Sequence, residues 1–354
     1  MVTDCLRGGT ENSLTPAMLD TVVARAKSTN RVLITGVTGF VGSHMAEYAL
    51  ERGAKVYGTV RTRSPRENIV HLDKLNLVEC DLMDRTSVES VLCAVNPTHI
   101  IHLAAHSYVG GSWSLPVETL TNNIIGQTNL LEAVMAVAVR DLPRIMIAGS
   151  SEEYGMAFRD ELPLTEHSPL RPMSPYAVSK VAQDMMGYQY FKSYKMPIIR
   201  ARAFNHEGPR RGASFVTSSF AIQIAAIEAG LQDPVIHVGD LTTQRDYTDV
   251  RDIVRGYWYL VTQGEPGEVY NLCSNRIWYI QEVLDYLLKL SDVKVQVLQD
   301  TSRMRPSDVP VLRGSYDKIN LAFSWVPIIP FERTLKDIIS YWRQRVKYDT
   351  PRPS

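Results

Sequence analysis

An α/β fold built on a doubly wound parallel sheet of the Rossmann type, with a smaller, interleaved C-terminal α/β substrate domain, is what this sequence predicts. Two observations carry that prediction. From Arg31 onward, short β-branched runs alternate with helical patterns, and strand-helix-strand repetition implies a parallel sheet covered on both faces. The first such run leads directly into a glycine-rich turn that opens a helix, the junction at which sheets of this kind hold dinucleotides.

The elements follow in order. Residues 1–29 are polar, with a short helix capped by Thr15 and opened by Pro16, and are expected to form an N-terminal arm. VLITG, KVYGTV, LNLVEC, HIIHLAA and RIMIAG are the strand candidates, with VGSHMAEYALERG and TNLLEAVMAVAV as helices between them. A further helix, PYAVSKVAQDMMGYQYFKSY, and a strand, MPIIRARAF, come next. More irregular Pro- and Arg-rich pieces follow, then the helices IQEVLDYLLKLS and LKDIISYWRQRV near the end. With no internal repeat and no long linker, two lobes around one cleft are expected. Residues 30–204 form the cofactor-binding domain. Residues 205–347 form mainly a substrate-binding lobe, with segments returning to the first domain.

Composition narrows the function. The 354 residues are 45% hydrophobic and 21% charged, ordinary for a globular protein. Lys plus Arg and Asp plus Glu both total 38, so nothing draws the chain generally to nucleic acid or an anionic membrane. Cys5, Cys80, Cys93 and Cys273 lie far apart and the eight histidines form no cluster, so neither a metal site nor a disulfide framework is expected. The N-terminus lacks a basic stretch followed by an apolar one, and no apolar run could span a bilayer. A cytoplasmic location is the expectation.

The cofactor expectation starts at Gly36-Val37-Thr38-Gly39-Phe40-Val41-Gly42. Glycines permit the tight bend and let the backbone approach a pyrophosphate held by free N–H groups at the helix start. The second strand then chooses between cofactors. NAD sites place an acidic residue there for the ribose 2′-hydroxyl, whereas a 2′-phosphate needs positive charge. Here Arg61 and Arg63 follow Val60 with no carboxylate, so NADP is expected rather than NAD. Asp81, with Leu82 beside it, is a candidate acceptor for the adenine amino group. Leu103, Ala104 and Ala105 are candidates to line the cofactor, with Ser107 on the substrate side.

The chemistry is expected at Tyr176 and Lys180, four apart on one helix face. A phenol is a poor base at neutral pH, and a neighbouring ammonium together with a cationic nicotinamide ring would favour its phenolate. Such a Tyr takes a proton from a sugar hydroxyl while hydride leaves the carbon. A hydroxyl about 26 residues upstream, Ser150 in AGSSEEYG, completes the constellation.

From Arg31 to about Arg345 the chain resembles the extended short-chain dehydrogenase/reductase family: GxxGxxG, HLAA, the serine-bearing strand end, YxxxK and RDYTDVRD occur in the family's order. Leu170-Arg171-Pro172-Met173-Ser174-Pro175-Tyr176, Asn205-His206-Glu207-Gly208-Pro209-Arg210-Arg211-Gly212 and Phe215-Val216-Thr217 are similar to enzymes acting on GDP-mannose and its 4-keto product. That resemblance implies a catalytic hydroxyl at Ser150 and a dehydratase acid/base at Glu152. It leaves Glu153 as a solvated or cofactor-loop carboxylate. Asn205, Arg211, Val216, Arg245 and Arg305 are the substrate-side candidates, the last two arginines as a diphosphate clamp. The primary expectation is a 4,6-dehydratase acting on GDP-mannose or a close nucleotide sugar. The alternatives are a GDP-6-deoxy-4-keto-mannose reductase, which the stretches GDLTTQRDYTDVRDIV and RMRPSDVPVLRGS resemble, and a nucleotide-binding regulator without chemistry. The family likeness also suggests a homodimer or homotetramer.

Overall fold

The structure is a computed structural model that describes residues 30–137, 141–304 and 309–348. The expected N-terminal arm, with its helix at Thr15 and Pro16, lies outside the described residues.

The chain alternates as its sequence pattern requires. Strand β1 (Arg31–Thr35) runs into helix α1 (Phe40–Glu51), followed by β2 (Lys55–Val60), β3 (Asn76–Glu79), α2 (Arg85–Val95), β4 (His99–His102), α3 (Gly126–Val137) and β5 (Arg144–Ser150). Helix α4 (Pro175–Tyr194) and β6 (Ile198–Ala203) complete the first part. Beyond them come β7 (Asn205–Glu207), α5 (Val216–Glu228), β8 (Val235–Val238), β9 (Gln244–Asp249), α6 (Val250–Gln263), β10 (Val269–Leu272) and β11 (Ile277–Tyr279). The last elements are α7 (Ile280–Lys289), β12 (Gln296–Gln299), β13 (Val311–Leu312) and α8 (Phe331–Tyr348).

Seven strands form one sheet in the order β10-β6-β5-β4-β1-β2-β3, and every pairing in it is parallel. Helices α1 and α6 close one face through a core that includes Val32, Ile34, Met45, Ile253 and Tyr257. On the opposite face α2, α3 and the end of α4 bury Leu33, Val91, Leu130, Ile147 and Tyr190. Both faces of each central strand are thus apolar, which is why these segments read as continuous β-branched runs. Strand order reverses between β1 and β4, and a crevice opens at that point beyond the carboxyl ends of the strands. Strand β10 extends this sheet and α6 packs on it, so it draws on chain well past residue 204.

A second, smaller sheet centres on β9, paired with β11, β13 and β7, while β8 and β12 pair separately. Helices α5, α7 and α8 enclose its core, where Phe331 stacks on Tyr247 at 4.7 Å. Two regular helices, α5 and α6, stand where irregular pieces were expected. Helix α6 starts because the Asp249 carboxylate accepts the Arg251 N–H at 2.8 Å, an N-cap. Helix α5 has apolar residues on nearly every side, so it carries no clear amphipathic period.

Burial keeps three histidines neutral: His99 is pushed down to about 4, His102 to about 3 and His206 to about 4, with repulsion from Arg144, Lys180 and Arg211 respectively. An unfolded histidine takes its proton near 6.5. Below that pH the unfolded chain binds more protons than the folded one, so this contribution to stability is complete above about 6.5 and is lost as pH falls toward about 4. Urea midpoints should therefore drop steadily across that window, with a slope approaching three protons in linked analysis. A flat midpoint would mean that the rings are solvated.

Candidate active site

The crevice has a volume of about 1500 Å³, larger than the range usual for a single small ligand and sufficient for two nucleotides side by side. Its floor is the glycine turn. Gly36 has φ +73°, the left-handed region that glycine adopts without strain, and a Cβ there would lie 2.9 Å from Ala104 Cα. A Cβ on Gly42 would collide with the Gly36 carbonyl and stand 2.8 Å from Val37 Cα. These two contacts let α1 begin directly against β1. No side chain caps Gly39 at the start of α1, and Gly39, Phe40, Val41 and Gly42 line the crevice. The uncapped N–H groups of that first turn fit the diphosphate of a dinucleotide.

The walls are strand ends. Arg61 and Ser64 follow β2, Asp81 and Leu82 follow β3, and Leu103, Ala104 and Ala105 follow β4. The Thr35 hydroxyl accepts the N–H groups of Leu103 and Ala104 at 3.1 and 3.2 Å, which fixes the β4 end next to the glycine turn. One cofactor candidate departs from expectation. Arg63 is exposed and does not line the crevice, because the chain turns back after Arg61, where the Ser64 hydroxyl accepts the Arg61 N–H at 3.0 Å.

Strand β5 delivers Ser150, and α4 delivers Tyr176 and Lys180. The helix is started by Ser174, whose hydroxyl accepts the Ala177 N–H at 3.1 Å, with Pro175 in its first turn. All three side chains line the crevice with Glu152. Ser150 Oγ accepts the Glu152 N–H at 3.2 Å and is hydrogen-bonded to Tyr176. Lys180 Nζ donates to the Ala148 carbonyl at 2.8 Å and stands 5.9 Å from the Tyr176 ring centre.

Several groups act on the phenol. Burial pushes the Tyr176 phenol above its ordinary value, and a negative charge on Glu152 or Glu153 pushes the same way. The Ser150 hydrogen bond and the Arg211 charge oppose them. Lys180 turns its ammonium to a backbone carbonyl beside the Tyr176 ring, and burial lowers its own pKa to about 8. Ionising Tyr176 needs further positive charge next to the ring, which a bound oxidised nicotinamide would supply.

Glu153 is not solvated. It is fully buried, accepts the Ser150 N–H at 2.7 Å and pairs with Arg202 at 3.1 Å. On the substrate side, Ser107, Asn205, Arg211 and Val216 line the crevice, and Asn205 Oδ1 is buried with no hydrogen-bond partner among the described residues. The Arg211 guanidinium lies 3.5 Å from the Phe215 ring centre and 5.0 Å from that of Phe40, and its Nε is 3.7 Å from the buried Glu207 carboxyl. Arg245 lines the crevice but is largely turned inward, donating to the carbonyls of Val309 at 2.7 Å and Gln244 at 2.9 Å. Arg305 lies outside the described residues.

Sequence reasoning passed over Arg303, which lines the crevice and donates to Ser219 Oγ at 3.0 Å, and Glu207, which accepts from the Thr217 hydroxyl at 2.6 Å. Both fall inside the motifs already noted.

Among the described residues no helix is long and apolar enough to cross a membrane. The family model described as GDP-mannose 4,6 dehydratase matches residues 33–338. A GDP-6-deoxy-D-mannose reductase from Pseudomonas aeruginosa is 33% identical over 90% of this chain and 99% of its own. The human GDP-mannose 4,6 dehydratase is 30% identical, over 88% of this chain and 91% of its own. Among solved structures, RMD from Pseudomonas aeruginosa complexed with NADPH superposes with a TM-score of 0.76 at 32% identity, covering 89% of this chain and 99% of that one. A family match across nearly the whole folded chain, over the glycine turn and the Ser150, Tyr176 and Lys180 wall alike, makes this chain a member of the GDP-mannose 4,6 dehydratase family of enzymes.

Proposed function

We propose that the protein is an NADP-dependent 4,6-dehydratase that converts GDP-mannose, or a close nucleotide sugar, to its 4-keto-6-deoxy product. The observation that carries this reading is the placement of the Glu152 carboxyl on the same crevice wall as Ser150 and Tyr176. NADP, when bound, supplies the hydride acceptor and later the hydride donor. Arg61 follows the end of β2 and lines the crevice, which suits a 2′-phosphate, and the RMD relative is solved with NADPH.

The chain's own groups then divide the work. Ser150 holds the sugar C4 oxygen and Tyr176 takes the C4 hydroxyl proton as hydride departs. The resulting ketone acidifies C5. Glu152 removes the C5 proton and returns it to the C6 hydroxyl, which leaves as water. Hydride returns to C6 and the proton that Tyr176 took from the C4 hydroxyl is delivered to C5, so the cofactor and both side chains end as they began. Arg211, between two aromatic rings, serves the sugar or its phosphate, and residues 30–204 and 205–347 act as the cofactor and substrate lobes.

A second reading, reduction of a 4-keto sugar nucleotide, draws support from the Pseudomonas reductase, matched over 99% of its length. It needs Ser150, Tyr176 and Lys180 but not Glu152. Incubation with GDP-mannose, with and without NADPH, followed by mass spectrometry, separates the two. Loss of water from GDP-mannose without added reductant supports the dehydratase. Inertness toward GDP-mannose, with stoichiometric NADPH consumed on the 4-keto sugar, selects the reductase.

A further inference from the structure

The mechanism above leaves Glu153 without a task, yet its carboxyl is fully enclosed directly beneath the strand end that carries Ser150. Its Oε1 accepts the Ser150 N–H at 2.7 Å. That oxygen also fills the space a side chain at position 149 would need, since a Cβ on Gly149 would collide with it and stand 2.8 Å from the Ala201 carbonyl. The strand end is thus shaped around this carboxyl.

Asp184 meets Glu153 from α4, one turn beyond Lys180, and the two carboxyls are in hydrogen-bond contact. Arg202 Nε spans both, at 3.1 Å from Glu153 Oε2 and 2.7 Å from Asp184 Oδ2. Arg200 donates to Asp184 Oδ1 at 2.5 Å. The Tyr154 hydroxyl accepts from Arg202 at 3.2 Å and donates to Asn271 at 2.6 Å. Two buried carboxyls in contact repel each other when both are ionised, a repulsion that is relieved when one keeps its proton. Asp184, served by two guanidinium groups, is the better anion.

We propose that Glu153 is a positioning residue kept as an uncharged acid: its hydroxyl donates to Asp184 while its other oxygen holds the Ser150 N–H. One shared proton thereby ties the Ser150 strand end to the helix that carries Tyr176 and Lys180. Burial and the Asp184 charge hold the Glu153 carboxyl well above the usual range, in keeping with that arrangement. Neutrality matters to the site, because a charge at Glu153 is felt at both Tyr176 and Lys180. An ionised Glu153 would make the phenolate harder to form. The acid therefore fixes the geometry without adding a negative charge below the reacting oxygen.

The catalytic consequence rests on the proposed roles of Ser150 and Tyr176, whereas the shared proton does not. Infrared difference spectra of the whole protein against Glu153→Gln at about pH 8 should show the carbonyl stretch of an un-ionised carboxylic acid in the wild type and its loss in the variant. Absence of that band overturns the proposal, whether or not the enzyme turns over. In kinetics Glu153→Gln, which keeps the acceptor for Ser150 and a donor for Asp184, should retain most of kcat. Glu153→Leu should lower kcat by about 10- to 100-fold with KM and cofactor affinity unchanged, and a leucine variant with wild-type kcat also overturns it. Should the leucine variant not fold, the infrared comparison still decides. A Ser150→Ala variant with full activity would instead remove the proposed chemistry, a separate failure.

Discussion

Replacing Glu152 by glutamine should stop loss of water from GDP-mannose, by about 10²- to 10⁴-fold, while hydride still leaves C4. The amide has the shape of the carboxyl but cannot accept the C5 proton. Its backbone N–H, which steadies Ser150 Oγ at 3.2 Å, is unchanged, so the oxidation step keeps its geometry. Substrate labelled with deuterium at C4 makes the difference visible. In the wild type the label should reappear at C6 of the dehydrated product. In the variant it should pass to the cofactor, with no product lighter by one water. A variant that dehydrates at the wild-type rate would remove Glu152 from the reaction. A variant that reduces a 4-keto sugar nucleotide normally, from a wild type inert toward GDP-mannose, would select the reductase.

The central sheet was legible in the sequence because its inner strands are buried on both faces, so that β1, β2, β4 and β5 appear as largely apolar runs. Helix α4 was legible as one long uninterrupted stretch, which the structure starts at the Ser174 cap and Pro175. Helix α5 was not, since a segment enclosed on nearly all sides loses the polar face on which periodicity depends. The candidate site shows the same division. Residues held by their own strand end or helix turn, such as Ser150 beside Glu152 or Tyr176 one turn before Lys180, were found from local spacing. Residues defined by distant partners were misread. Glu153 looks like a loop carboxylate until Asp184 and Arg202 are brought to it from α4 and β6. The carbonyl that holds Arg245, at Val309, comes from 64 residues away and leaves no local spacing to read. Arg61 and Arg63 differ only in which way the chain turns after β2, a choice set by Ser64.

Tyr176→Phe should lower kcat by about 10²- to 10⁴-fold with little change in fold or cofactor affinity. The ring is buried and a phenylalanine fills nearly the same volume, while Ser150 Oγ keeps the Glu152 N–H after losing the phenol. What disappears is the oxygen that accepts the C4 hydroxyl proton. The pH dependence distinguishes that loss from a packing defect. Because burial holds the phenol above its ordinary value and Arg211 opposes it, kcat/KM in the wild type should rise with pH as the reactive phenolate forms, and the rising limb should move to lower pH when an oxidised nicotinamide adds its charge. The phenylalanine variant should retain residual activity with that limb absent. Loss of the Lys180 proton near 8 acts in the opposite sense, because it removes positive charge from the site and bends the profile downward. A rising limb that survives in Tyr176→Phe would assign the titration to another group and take the proton transfer away from Tyr176.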